Sequence, residues 1–228
     1  MILAIESATP RGSVALVSGG AVRAEVFLLP APRASESYIS AVEALFAAVG
    51  AATGDVSAVA VSAGPGAFTG LRVGMSAAKG FCFGWSVPLV PVPTLLALAH
   101  RFPGEGRIVC PVQDARRGEV YAALFRWDGG ELARLSPDMA IAPGLLPGRI
   151  PDGDVLLCGD GVTPFGTLFR EALGDRAILV SGDEGLPRAA AVGIVGERIF
   201  LGGGGEDPRT AVPFYLRSSG AEPMRSHL

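Results

Sequence analysis

Apolar residues open the chain in blocks of strand length. ILAIE (2–6) and SVALVS (13–18) flank the polar turn ESATPRG, and a third run, 21–28, follows Gly19-Gly20. This pattern predicts a three-stranded meander. Tyr38, Val42, Leu45, Phe46 and Val49 then recur at helical spacing, predicting a helix over 36–49 that Ser35 or Ser37 can cap. A strand at 56–62, a helix at 70–83, a strand at 87–92 and a short helix at 94–101 follow. The order β-β-β-α-β-α-β-α predicts a mixed sheet covered by helices.

The second half repeats the theme less regularly. RFPGEGR (101–107) reads as a linker. A strand at 107–113 leads through the polar DARRGE turn to a strand at 118–127. Asp128-Gly129-Gly130 is a hairpin signal, with 131–135 returning. Residues 136–153 are rich in proline and glycine and predict irregular structure. Strand 154–158, helix 163–173, strand 177–180 and helix 188–201 complete a second β/α unit. VPFYLR reads as a strand or extended segment, and the last eight or so residues are expected to be disordered. The expected organisation is an N-terminal lobe 1–102, a smaller C-terminal lobe 103–217 and a tail 218–228. Each lobe begins with two strands joined by a polar turn.

Composition narrows the classes. The chain has 228 residues, 49% hydrophobic and 18% charged, enough to bury a core. Its net charge is −3 and its Lys and Arg are scattered, with Arg116-Arg117 the densest run, which argues against strong direct binding to nucleic acid. Cys82, Cys110 and Cys158 lie far apart in apolar runs, as expected of reduced, buried thiols in a cytoplasmic protein. MILAIES lacks the basic start of a signal peptide. The longest apolar stretch, 74–90, is broken by Lys79, Gly84 and Pro88, so no membrane span is expected.

The densest motif is SAGPGAFTGLRVGMSAAKG, residues 62–80. Gly64, Pro65, Gly66 and Gly70 make a tight strand-to-helix turn, with Thr69 placed as the N-cap. Backbone N–H groups there can cradle a phosphate, although no Gly-Lys-Ser/Thr follows as in a Walker A loop. The turn can equally serve only to join strand and helix. Helix 70–83 carries Arg72 and Lys79 on one stripe and is otherwise apolar, and helix 36–49 is nearly as greasy. Such helices are either core or pressed against a partner. The partner reading uses Tyr38, Val42, Leu45, Phe46, Leu71, Arg72, Met75 and Lys79.

Candidate chemistry is sparse. Glu6 and Asp114 each stand where a strand meets a polar turn, one per lobe. A kinase or ATPase would use Glu6, Ser13 and Asp114 around a magnesium-bound phosphate. The only histidines are His100 and His227, with no HxxxH or HExxH pair and no Gly-x-Ser-x-Gly elbow. No catalytic residue and no metal site is therefore expected.

Together these motifs resemble the TsaB (YeaZ) family from end to end. The resemblance rests on ILAIES…GSVALV, GPGAFTGLRVG…AAKG, VPLVPVPTLLALA, QDARRGEVYAALF, LCGDG at 157–161 and PFYLR at 213–217. Glu6 stands where that family carries aspartate, and in this is similar to the paralogous TsaD family. The resemblance implies an α/β, actin-like (ASKHA) two-lobed fold with mixed sheets flanked by helices. In actin-like ATPases a hairpin similar to ESATPRGS wraps the nucleotide phosphates. TsaD carries a metal-binding HxxxH after its glycine-turn helix, and the matching positions here are Thr94 and Leu98, which implies a scaffold without the metal centre.

The implied role is a non-catalytic subunit. It would bind TsaD through the N-terminal helices and act with the ATPase TsaE. The complex transfers a threonylcarbamoyl group to N6 of adenosine 37 in ANN-reading tRNAs, so this chain would meet tRNA only indirectly. In isolation a homodimer through the same surface is implied. No cofactor is implied for this chain alone, with ATP or ADP possible at the complex interface. The alternatives are a nucleotide-dependent ATPase or kinase of the actin-like superfamily, or a glycoprotease-like metallopeptidase, which needs ligands the sequence does not supply.

Overall fold

The computed structural model describes residues 1–28 and 34–216, with side chains in the second stretch from residue 37 onward. The side chain of Ser35, expected as a cap, and residues 218–228, expected to be disordered, lie outside what is described. Ser37 sits inside the first helix rather than ahead of it.

The first sheet is built around two strands that lack a polar face. β1 (Ile2–Glu6) and β4 (Ala58–Gly64) are buried along their whole length. They pair in parallel at the centre of a sheet that also holds β2 (Gly12–Ser18), β3 (Ala21–Leu28) and β5 (Leu89–Pro93), in the order β3-β2-β1-β4-β5. β1, β2 and β3 form the expected antiparallel meander. Successive side chains alternate between the faces. Leu3, Ile5, Val59 and Val61 meet α1 (Ala34–Val49) and α2 (Phe68–Trp85) on one side. Ile2, Ala4, Ala58 and Ala60 meet a late helix, α6 (Ala189–Leu201), on the other. That second face is made of small residues, and Gly193 and Gly196 let α6 settle onto it: a Cβ at either would lie 2.5 Å from Val17 or Ala60.

The second sheet is seven-stranded. β6 (Ile108–Arg116) is its spine, with β7 (Glu119–Ala122) and β10 (Met139–Ile141) on one side and β11 (Val155–Cys158) and β12 (Ala177–Val180) on the other. β8 (Phe125–Asp128) pairs with β6 and with β9 (Glu131–Arg134) across the Gly129-Gly130 hairpin. α4 (Val162–Leu173) covers one face. α3 (Thr94–His100) is wedged against the other, where Leu95 and Leu98 pack with Phe125, Leu156 and Cys158. A single helical turn, α5 (Gly182–Gly185), precedes α6.

Three expectations change. The strand expected at 118–127 is two strands, because Leu124 turns its backbone to another segment. Its N–H donates to Ser136 Oγ at 2.9 Å and its carbonyl accepts from Leu135 N–H at 2.8 Å. The irregular stretch 136–153 contains β10. The expected C-terminal lobe 103–217 is too long: after β12 the chain returns to the first sheet. α6 covers that sheet, Glu206 exchanges two backbone hydrogen bonds with Leu89, and Phe214 N–H donates to Ala63 O at 2.6 Å. VPFYLR forms no strand of its own in its described part.

Candidate functional site

The glycine turn is filled by the protein itself. β4 ends at Gly64, whose φ of +123° excludes most side chains. A Cβ there would lie 2.1 Å from the Phe214 carbonyl oxygen. On the opposite side the β1–β2 turn presses in. Gly66 faces Ala8, and a Cβ on Gly70 would lie 2.1 Å from the Ser7 carbonyl oxygen. Ala67 N–H donates to Ala8 O at 2.7 Å, and Gly64 N–H donates to Thr94 Oγ1 at 3.1 Å. Pro65 is buried. The turn is therefore a packing junction of β1–β2, β4–α2 and the C-terminal segment. Thr69 is not the N-cap. Ala67, held by Ala8, takes that place, and its carbonyl accepts from Leu71 N–H, so the helix starts earlier and Thr69 is an exposed first-turn residue.

The acids behave differently from one another. Glu6 is fully buried at the end of β1. Its Oε1 accepts from Ala8 N–H at 2.6 Å, while Oε2 has no hydrogen-bond partner among the described residues. Burial pushes this carboxyl up to about 7; the Ala8 N–H opposes the rise and the negative charge of Asp160 adds to it. Asp160 follows β11 in the second lobe, and burial raises its pKa as well. Asp160 Oδ1 accepts from Asp114 N–H at 3.0 Å. Asp114 itself is spent on its own turn, accepting from Arg116 N–H at 2.7 Å and pairing with the Arg116 guanidinium at 3.1 Å. Ser13 is buried and its Oγ accepts from Ala189 N–H at 2.8 Å, bonding the start of α6.

Of the trio Glu6, Ser13 and Asp114, only Glu6 thus keeps a free polar atom. Its counterpart across the lobes is Asp160, which the sequence reading missed. The signal lay in LCGDG, an acid between two glycines directly after a strand. Gln113, within β6, is also buried with both side-chain amide atoms unpartnered. Thr94 is fully buried as the acceptor for Gly64, and Leu98 is fully buried in the apolar wedge. Among the described residues no three His, Cys, Asp or Glu side chains gather as a metal-binding group. All three cysteines are buried, which raises their pKa. No helix of the described residues is long and apolar enough to cross a membrane.

The expected partner surface needs correction. Tyr38, Val42, Leu45 and Met75 belong to the core under the first sheet, and Leu71 is fully buried beside Gly64. They occupy the stripes of α1 and α2 that face β1 and β4, so no partner reaches them. Phe46 is half-buried with its ring edge-on to Trp85, Lys79 is half-buried and Arg72 is exposed. The outward faces carry Ile39, at 55% exposure, and Phe83, at 57%, among small residues: Ala44, Ala47 and Ala48 on α1, Ser76, Gly80 and Gly84 on α2.

Residues 30–198 match the family model for TsaD, tRNA N6-adenosine threonylcarbamoyltransferase. The Escherichia coli tRNA threonylcarbamoyladenosine biosynthesis protein TsaB is 30% identical over 96% of this chain and 95% of its own length. Its Bacillus subtilis counterpart is 28% identical over 97% and 96%. Among solved structures, YeaZ from Pseudomonas aeruginosa superposes with a TM-score of 0.78 at 26% identity, covering 94% of this chain and 99% of that one. A hexokinase of the ROK group from Thermus thermophilus, at TM-score 0.51, 11% identity and coverage of 89% and 99%, shares the actin-like two-lobed fold alone. With full-length similarity in sequence and in structure, the chain belongs to the TsaB family of tRNA threonylcarbamoyladenosine biosynthesis.

Proposed function

We propose that this chain is a non-catalytic subunit that docks onto a TsaD-type threonylcarbamoyltransferase, with TsaE as further partner, in the cytoplasm. The supporting observation is the outer face of α2. Ser76, Gly80 and Gly84 fall four residues apart on one exposed stripe, and among the described residues nothing lies within 4 Å of where a Cβ on Gly80 or Gly84 would stand. Glycine inside a helix costs about 1 kcal/mol relative to alanine. No neighbour among the described residues requires it there. A stripe that small, flanked by exposed Phe83 and by the alanines of α1, suits the close approach of another helix. The same face would serve a homodimer when the partner is absent. The transfer itself falls to the partner, since Thr94 and Leu98 stand where the resemblance places the paired histidines. Any ATP or ADP would lie at the complex interface.

The test mixes the chain with its cognate TsaD and follows complex formation by size exclusion and calorimetry. Gly84→Glu, on an open helix surface, is expected to leave the fold intact and weaken association about 100-fold, roughly 3 kcal/mol. Unchanged affinity in that variant would place the docking surface elsewhere.

A second reading draws on the unpartnered Glu6 Oε2 and Gln113 amide, which suit a small polar ligand between the lobes. A nucleotide-dependent enzyme of the actin-like class would bind ATP and magnesium tightly as the isolated chain and turn it over, and calorimetry separates that outcome from the first.

A further inference from the structure

We propose that residues 212–216 form a latch that opens and closes as one unit with the glycine turn and the first turn of α2. The segment is anchored upstream. Ala211 is 1% exposed in the first-sheet core, and Glu206 is paired with Leu89. Beyond Ala211 the attachment becomes sparse. Val212 and Phe214 are 71% and 51% exposed, so little apolar burial holds them. Directed contacts do the holding. Phe214 N–H donates to Ala63 O at 2.6 Å. The Tyr215 ring lies 5.0 Å from the Phe68 ring, and Tyr215 Oη accepts from Arg72 Nε at 3.1 Å. The Arg72 guanidinium in turn sits 3.9 Å over the Phe68 ring.

These contacts all land on one short stretch. Ala63 is the next-to-last residue of β4, and Phe68 and Arg72 occupy the first turns of α2, whose N-cap Ala67 has no side-chain cap. The Phe214 carbonyl fills the space that a Cβ at Gly64 would take. A segment with few buried apolar groups and a handful of directed polar bonds opens at low free energy, ahead of the sheet beneath it. Because Phe68 is shared between Tyr215 and Arg72, loss of Tyr215 also loosens the α2 start. The coupling therefore runs between positions nearly 150 residues apart (Arg72 to Tyr215 is 143) through a single aromatic–cation cluster. Opening would bare the Phe68 ring and the Ala63 carbonyl together.

Amide hydrogen exchange, read residue by residue by NMR on the isolated full chain, tests this independently of any partner. The informative amides are Phe214, Gly64 and Ala67, each hydrogen-bonded in the latched state. Tyr215→Ala is expected to accelerate all three together by about tenfold, the share that an aromatic contact with a charge-assisted bond carries. Tyr215→Phe, which keeps the ring and loses the Oη acceptor, should fall between. Arg72→Ala should match Tyr215→Ala, with no further gain in the double variant. Amides of β1 and β11 should not change. Acceleration confined to Phe214, no acceleration at all, or an equal rise across the sheets would each overturn the latch.

Discussion

Glu6 concentrates more unresolved chemistry than any other side chain described. A buried carboxyl with one unpartnered oxygen resists ionisation, and its folded pKa of about 7 stands above the ordinary 4.5. The sign follows from proton binding. Below about pH 4.5 the group is protonated in both folded and unfolded chains and contributes nothing. Between 4.5 and 7 the unfolded chain releases the proton while the folded chain keeps it, so stability falls as pH rises. Above 7 the full penalty stands, about 3 kcal/mol for a shift of this size. Glu6→Gln removes the charge and keeps an acceptor for Ala8 N–H. Urea unfolding of both proteins at pH 5 and pH 8 should show the variant gaining on the wild type at the higher pH. An identical gap at both values would mean that Glu6 does not titrate as described. Its identity as a strand-end acid was legible in the sequence. Its partner was not: Asp114 and Asp160 are both acids at strand-to-turn junctions, and only the three-dimensional arrangement shows that the charge acting on Glu6 is that of Asp160.

At the scale of the element, period and turn chemistry located nearly every strand and helix, while the direction each helix faces stayed hidden. α1 and α2 read as apolar almost all round, so periodicity alone offered no unique inward stripe. The sheet chose it: Leu71, Gly74, Met75, Ala78 and Cys82 face in, leaving Ser76, Gly80 and Phe83 outside. The predicted consequence is a contrast between two large side chains of one helix. Met75→Ala empties a site 3% exposed and should cost about 2–5 kcal/mol in denaturant unfolding. Phe83→Ala, on the open face, should stay within about 0.5 kcal/mol in the free chain. Comparable losses for both would show that the outer face is also core. The helix start was misplaced for a related reason. Thr69 is the better capping residue by chemistry, but the hydrogen bond from Ala67 to Ala8, a contact between distant segments, fixes the entry.

Across the whole molecule, the two lobes are not successive. Strand-helix order suggested that α6 closes the second unit, because it follows β12 just as α4 follows β11. What redirects it is surface shape. Ala4, Ala15, Ala58 and Ala60 make a shallow sheet face, and only a helix with Gly193 and Gly196 on one side seats there. That complementarity joins residues far apart in sequence and leaves no local periodic trace. It also makes the first lobe dependent on the last third of the chain. Ile2, Val90 and Val92 are sheltered by Val192 and Val195, and Ser13 Oγ is bonded by Ala189 N–H. A chain ending at residue 186 keeps every strand of both sheets yet loses this cover, baring an apolar face too large for a stable monomer. It should fail to unfold cooperatively by circular dichroism, and it should bind a dye for exposed apolar surface. Adding residues 187–216 in trans as a peptide should restore part of the transition, since α6 supplies packing and not chemistry. A cooperative, dye-silent 1–186 fragment would show instead that the first lobe stands without α6.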